Sequence, residues 1–314
     1  MKLTDSKVPI GLIEIAGNGR PLGAFMCNEV ATEKGTDRYV STKGYYVSSG
    51  VIADGGRFLY NHYMYPFERY AIAGLIWYQG ESDLLQANTR VYAENFSALM
   101  TYMRGTHNRI NKDFPVYYVE LPTIYQMPAN HVGDWHYMDV GLIRAAMGEI
   151  QRSLPNSHQI VSTDLWSDNT FFNNLHPNCK FEQSERAAIL AAAVNGAGGK
   201  TMAQGNGPIL VSMELLAGGK KAILTYENVG EGLKTTDGGN IVKGFHLYRK
   251  NVSLNPKAEL TATITAPNQI TIESNTGISG LAYNAITDNV YGVDINLCNS
   301  EGVPAGATVI LKAE

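Results

Sequence analysis

Gly74-Leu75-Ile76-Trp77-Tyr78-Gln79-Gly80-Glu81-Ser82-Asp83 is an apolar run that breaks abruptly into Gln-Gly-Glu. The pattern predicts a buried strand over 72–78 that ends in a turn. Such a turn delivers an amide, Gln79, and a carboxylate, Glu81, to a sheet edge. Open α/β sheets place their ligands at the carboxyl ends of their strands. A complementary fragment follows downstream, Asn173-Asn174-Leu175-His176-Pro177-Asn178. Its histidine stands between a loop and the amphipathic run Glu182 to Val194. Together the two fragments point to a hydrolase site, but no obvious nucleophile accompanies them.

Working outward, strands are predicted over 8–15, 114–121 and 160–164. Helices are predicted over 92–104, 138–154 and 182–194. The spacing of Phe96, Leu99, Met100 and Met103, and of Leu142, Ile143, Ala146 and Ile150, is helical. Gly17-Asn18-Gly19-Arg20-Pro21 reads as a glycine-rich turn, and a helix-like stretch lies near Met64. Alternating strands and helices predict a parallel sheet with helices on both faces. The character changes across the glycine-rich linker from Ala197 to Pro208. Beyond it, β-type segments at 209–215, 221–226, 241–248, 260–264, 269–272 and 290–295 predict an all-β sandwich. The expected division is an α/β domain over 1–202 and a β-sandwich domain over 203–314.

Composition narrows the function. In 314 residues, 44% are hydrophobic and 17% charged, which fits a globular protein with a sizeable core. The net charge of -4 and the lack of a basic stripe argue against a nucleic-acid partner. No apolar run approaches the roughly 20 residues of a membrane helix. Glu14 interrupts the apolar part of residues 1–16, so that segment reads as a strand and not as an export signal. Cys27, Cys179 and Cys298 are odd in number and far apart, with neither metal spacing nor a disulfide framework.

Trp77-Tyr78-Gln79-Gly80-Glu81-Ser82, preceded by Phe58-Leu59-Tyr60-Asn61, resembles the sialate O-acetylesterase branch of the SGNH hydrolases. Val8 to Ile13 with Gly17 to Pro21 resembles that family's second block. His176-Pro177-Asn178 with Lys180 resembles its histidine block. Phe114 to Leu121, Leu142 to Ala146 and the tail Asn296 to Pro304 are also similar to family segments. The resemblance implies an SGNH-type, flavodoxin-like fold followed by a β-sandwich, no metal or cofactor, and an O-acetylated sugar or glycan as partner. For a full-length member it implies a secreted or periplasmic setting.

The chemistry so implied is acyl transfer. A serine attacks the acetyl carbonyl, a histidine takes its proton, and an acid orients the histidine. By resemblance, His176 is the general base. The Gln79 amide and a backbone N–H in the Asn18-Gly19 turn are oxyanion-hole candidates, and Glu81 is expected to buttress the loop. Each residue also has an ordinary structural reading: Gln79 and Glu81 as turn caps, Asn18 and Gly19 as turn formers, Trp77 as core or as a sugar platform.

The chain departs from the family in three places. No Gly-Gln-Ser-Asn nucleophile block occurs in it, and Ser48-Ser49 lies in an unrelated context. The expectation is therefore an α/β domain incomplete at its N-terminus, lacking the nucleophile serine. A missing central strand would leave an open sheet edge and favour self-association there. Asn173 stands where the orienting aspartate is expected, leaving Asp164, Asp168 and Asn173 as alternatives. Met147 stands where the family pattern favours glutamine. A non-catalytic acetyl-sugar-binding pseudoenzyme is the rival reading.

Overall fold

The structure is a computed structural model. It describes residues 10–17, 19–27, 46–47, 50–51, 59–83, 91–106, 112–122, 140–165, 177–249, 252–255, 260–285 and 295–311. Three strands, β1 (Leu75–Trp77), β2 (Val116–Val119) and β3 (Ser157–Ile160), form a parallel sheet in that order. Leu75 lies opposite Val116 and Trp77 opposite Tyr118, and Val116 in turn lies opposite Ser157.

All four residues of β2 are buried, as befits the central strand of a parallel sheet covered on both faces. The two-residue period of a strand divides them. Val116 and Tyr118 pack with Phe96, Leu99 and Met103 of α1 (Tyr92–Thr106) and with Ile143 and Ile150 of α2 (Val140–Ser153). Tyr117 and Val119 pack with Leu190 of α3 (Lys180–Val194) on the other face. Arg104, near the end of α1, fixes the entries to β2 and β3. Its guanidinium donates to Phe114 O at 2.9 Å, Pro155 O at 2.8 Å and Asn156 O at 2.9 Å.

The C-terminal strands are antiparallel. One sheet runs β4-β5-β10-β9-β6, made of β4 (Ile209–Leu215), β5 (Lys221–Glu227), β6 (Ile241–Val242), β9 (Leu260–Ala266) and β10 (Gln269–Ser274). The other runs β8-β7-β11-β12, made of β7 (Phe245–Arg249), β8 (Val252–Asn255), β11 (Gly280–Tyr283) and β12 (Thr308–Leu311). Their inner faces share one core that includes Leu210, Leu224, Phe245, Leu247, Ile272 and Leu281. The architecture is thus the expected one, a parallel sheet with helices on both faces followed by a β-rich region.

Helix α2 joins the two units. Ala145 packs with Ala282, Ala285 and Val309. Arg152 donates to Thr308 Oγ1 at 2.8 Å and to Val309 O at 2.6 Å. Gly148 is needed for this approach, because a Cβ there would lie 2.1 Å from Ala307 O. Glu120, fully buried just past β2, accepts from Ala307 N at 2.7 Å and Ser162 N at 3.2 Å. Its carboxylate lies 3.6 Å from the equally buried Arg144 of α2. Burial raises the Glu120 pKa and lowers that of Arg144, while each partner's charge opposes the shift of the other.

Several expected elements are corrected. The strand over 8–15 does not form in its described part. Among the described residues, 10–17 belong to no strand, and Ile10 and Leu12 are 72% and 90% exposed. An apolar alternation becomes a strand only beside a partner. Among the described residues β1 is left as a sheet edge, with Ile76 66% exposed. The strand expected over 160–164 lies instead at Ser157–Ile160, and 241–248 divides at Gly244, whose φ of 96° breaks the ladder. Residues 290–294 of the last expected segment lie outside the described residues.

Candidate functional site

The carboxyl end of β1 opens into the turn the sequence singled out. Trp77 closes the strand as a core residue. Its ring meets Phe25 edge-on at 4.9 Å and Phe96 at 5.5 Å, and its indole N–H donates to the Tyr92 hydroxyl at 3.2 Å. The side chain is buried.

Gln79 is the hub of the turn and is buried. Its amide nitrogen donates to Arg20 O at 3.0 Å and to Asp83 Oδ2 at 2.6 Å. Its amide oxygen accepts from the Tyr92 hydroxyl at 3.1 Å, and its backbone carbonyl from the same hydroxyl at 2.9 Å. Both amide hydrogens are therefore committed to protein oxygens. As placed, Gln79 has no hydrogen left for an oxyanion. It binds the strand end to the chain leaving the Gly19 turn.

Asp83 completes this clasp. The short 3₁₀ turn Glu81–Asp83 brings its Oδ2 to within 2.7 Å of Leu22 N, which heads the 3₁₀ turn Leu22–Phe25. Burial raises the Asp83 pKa to about 6, although the bonds from Gln79 and Leu22 pull it down. Sequence reasoning missed Asp83. It lies in the quoted run, but a carboxylate in a polar turn reads as solvated.

Gly80 sits where α2 presses closest. A Cβ there would meet Met147 Cε at 2.6 Å and Leu121 Cδ1 at 3.2 Å. The unexpected Met147 is thus a packing residue, fully buried against this turn. Gly19, with φ 62°, takes the left-handed conformation that a glycine turn requires.

His176, Asn173, Asn18 and Asp168 lie outside the described residues. The residues that follow His176 are described: Pro177 and Cys179 are buried, and α3 begins at Lys180. The Lys180 ammonium lies 3.7 Å from the centre of the Tyr78 ring. Partial burial lowers the Lys180 pKa, and the Glu81 carboxylate opposes that shift. Glu81 thus belongs to the electrostatic surroundings of Lys180. Asp164, one of the alternatives for orienting the histidine, is held by Arg186 of α3 through two contacts of 2.6 Å.

Comparison with known proteins identifies the family. Residues 1–181 match the family model described as carbohydrate esterase, sialic acid-specific acetylesterase. The human sialate O-acetylesterase is 28% identical over 233 residues, 69% of this chain and 41% of the relative. The rat sialate O-acetylesterase is 28% identical over 179 residues, 54% of this chain and 31% of the relative. The chain thus spans well under half the length of these curated relatives. A crystal structure of a carbohydrate acetylesterase from Xanthomonas citri has the same fold, with a TM-score of 0.66 and 22% identity. That match covers 94% of this chain and 60% of the other. With the family model matching more than half of its residues, this chain belongs to the sialic acid-specific acetylesterase family of carbohydrate esterases.

Proposed function

We propose that this chain forms the glycine-turn and histidine parts of a carbohydrate O-acetylesterase site, and that the nucleophile serine is not among its own residues. The reaction is removal of acetyl esters from sugar hydroxyls by serine-type acyl transfer. His176 serves as general base. Backbone N–H groups of the Asn18-Gly19 turn receive the oxyanion. Gln79 acts through that turn, by holding Arg20, and contacts the oxyanion only if it releases Asp83. Glu81 tunes and anchors Lys180. Asp164 is engaged by Arg186, so Asn173 or Asp168 is left to orient the histidine.

One observation carries this reading. Two separated blocks of sequence converge on the strand end from Tyr78 to Asp83: the glycine turn, through Arg20 on Gln79 and Leu22 on Asp83, and the flank of the histidine block, through Lys180 on Tyr78. The absence of a Gly-Gln-Ser-Asn block and the presence of Asn173 favour a second reading, a pseudoenzyme that binds acetylated sugar without cleaving it.

Proton NMR of the chain mixed with an O-acetylated sialic acid tests both. Saturation transfer to the acetyl methyl without release of acetate is expected. Absence of transfer and of release would defeat the acetyl-sugar reading. We also propose self-association at the edge of β1 that is open among the described residues. Light scattering that shows only monomer at all concentrations would exclude it.

A further inference from the structure

The junction of the two units contains a narrow cavity lined by Gln151 and Arg152 of α2, Gln159 of β3, Tyr226 of β5 and Gly306. It has about 10 Å³ of room for a water-sized body, close to what one water molecule needs. No carboxylate is among the described residues that line it.

The amides around the cavity orient one another. The backbone N–H of Gln159 can only donate, and it reaches Gln151 Oε1 at 3.3 Å. The Asn206 amide donates to the same oxygen at 2.8 Å. Gln151 must therefore turn its nitrogen to Gln159 Oε1, which lies 3.0 Å away. That fixes the Gln159 amide in turn and leaves its Nε2 without a partner, although the residue is only 2% exposed. The Tyr226 hydroxyl, on the same cavity and equally buried, also lacks a partner. Gly306 keeps the space open, since a Cβ there would lie 2.9 Å from Gln159 Oε1 and 3.1 Å from its Nε2.

A cavity of one-water size, bordered by the fixed Gln159 amide and the unpaired Tyr226 hydroxyl, both buried, is a built site. We propose that it holds a single ordered water that accepts from Gln159 Nε2 and pairs with the Tyr226 hydroxyl. The water bridges β3 of the α/β unit to β5 of the β unit and makes their junction a hydrated polar contact.

A high-resolution crystal structure, with a bromide-soaked crystal beside it, tests the proposal directly. Thermal unfolding of Tyr226→Phe is the second measurement. A single solvent peak within hydrogen-bonding distance of both groups is expected, with no anomalous bromide signal. Removing the hydroxyl should lower the melting temperature by about 2 °C, because the water loses a partner. Three results would overturn the proposal: an empty cavity, a bromide peak that marks an anion site, or a melting temperature unchanged or raised in Tyr226→Phe.

Discussion

The Lys180 ammonium rests 3.7 Å above the Tyr78 ring, so the first turn of α3 is fastened to the strand end that carries Gln79. A lysine in the first turn opposes the helix dipole, and its contact with the ring and the nearby Glu81 charge offset that cost. Cation–π contacts of this kind contribute on the order of 1 kcal/mol. A double-mutant cycle on Lys180→Met and Tyr78→Leu should return a coupling of that size in urea unfolding. Additive effects would show that the contact is incidental.

Asp83 makes the stability depend on pH. Its carboxyl titrates at about 6 in the fold against an ordinary value of 3.8. A raised pKa means that the folded state prefers the neutral acid. The contribution is fully present below about pH 4 and is lost as the pH rises through 6, for a difference of roughly 3 kcal/mol at neutral pH. Asp83→Asn keeps an oxygen for Leu22 and Gln79 and cannot ionise. Its stability relative to the parent should therefore rise between pH 4 and 7 and level off above. A constant difference across that range would contradict the burial of a charged carboxylate.

Removing the Gln79 side chain should be costly. Gln79→Leu leaves Arg20 O and the Asp83 carboxylate without its two bonds in a buried setting, a loss of about 3 kcal/mol by urea unfolding. A change near zero would mean that the amide is not bound into the fold and is free to serve a ligand.

The junction between the units depends on a buried charge and a missing side chain. Glu120→Ala strips Arg144 of its buried counter-charge, which should cost roughly 3–5 kcal/mol. Gly148→Ala drives a methyl into the Ala307 carbonyl and should cost about 2 kcal/mol or more. Calorimetry of both variants checks this. Loss of stability confined to one unfolding transition would show that the two units melt independently.

What the sequence revealed follows from periodicity. Phe96, Leu99, Met100 and Met103 mark one face of α1 whatever they pack against, and the buried run through Val116–Val119 marks a central strand. Partnership is harder to read. The alternation around Ile10 to Ile13 has the side chains of a strand and no neighbour in the described structure. Ser157–Ile160 looks polar because His158 pairs with the neighbouring Asn156 and Gln159 with Gln151, a partner one helix end away that the fold brings near. In the site, Gln79 and Glu81 were legible as residues of consequence. The bonding of Gln79 was not, because it depends on Asp83 and Tyr92, whose burial no local pattern announces, and the place of Glu81 depends on Lys180, which the fold brings near.

The proposed acetylesterase site takes its nucleophile from outside the residues of this chain. Hydrolysis of p-nitrophenyl acetate by the chain, measured beside His176→Ala, tests it most directly. Equal background rates are expected for the two. Activity that disappears in the variant would place a working nucleophile within residues 1–314 and contradict the claim.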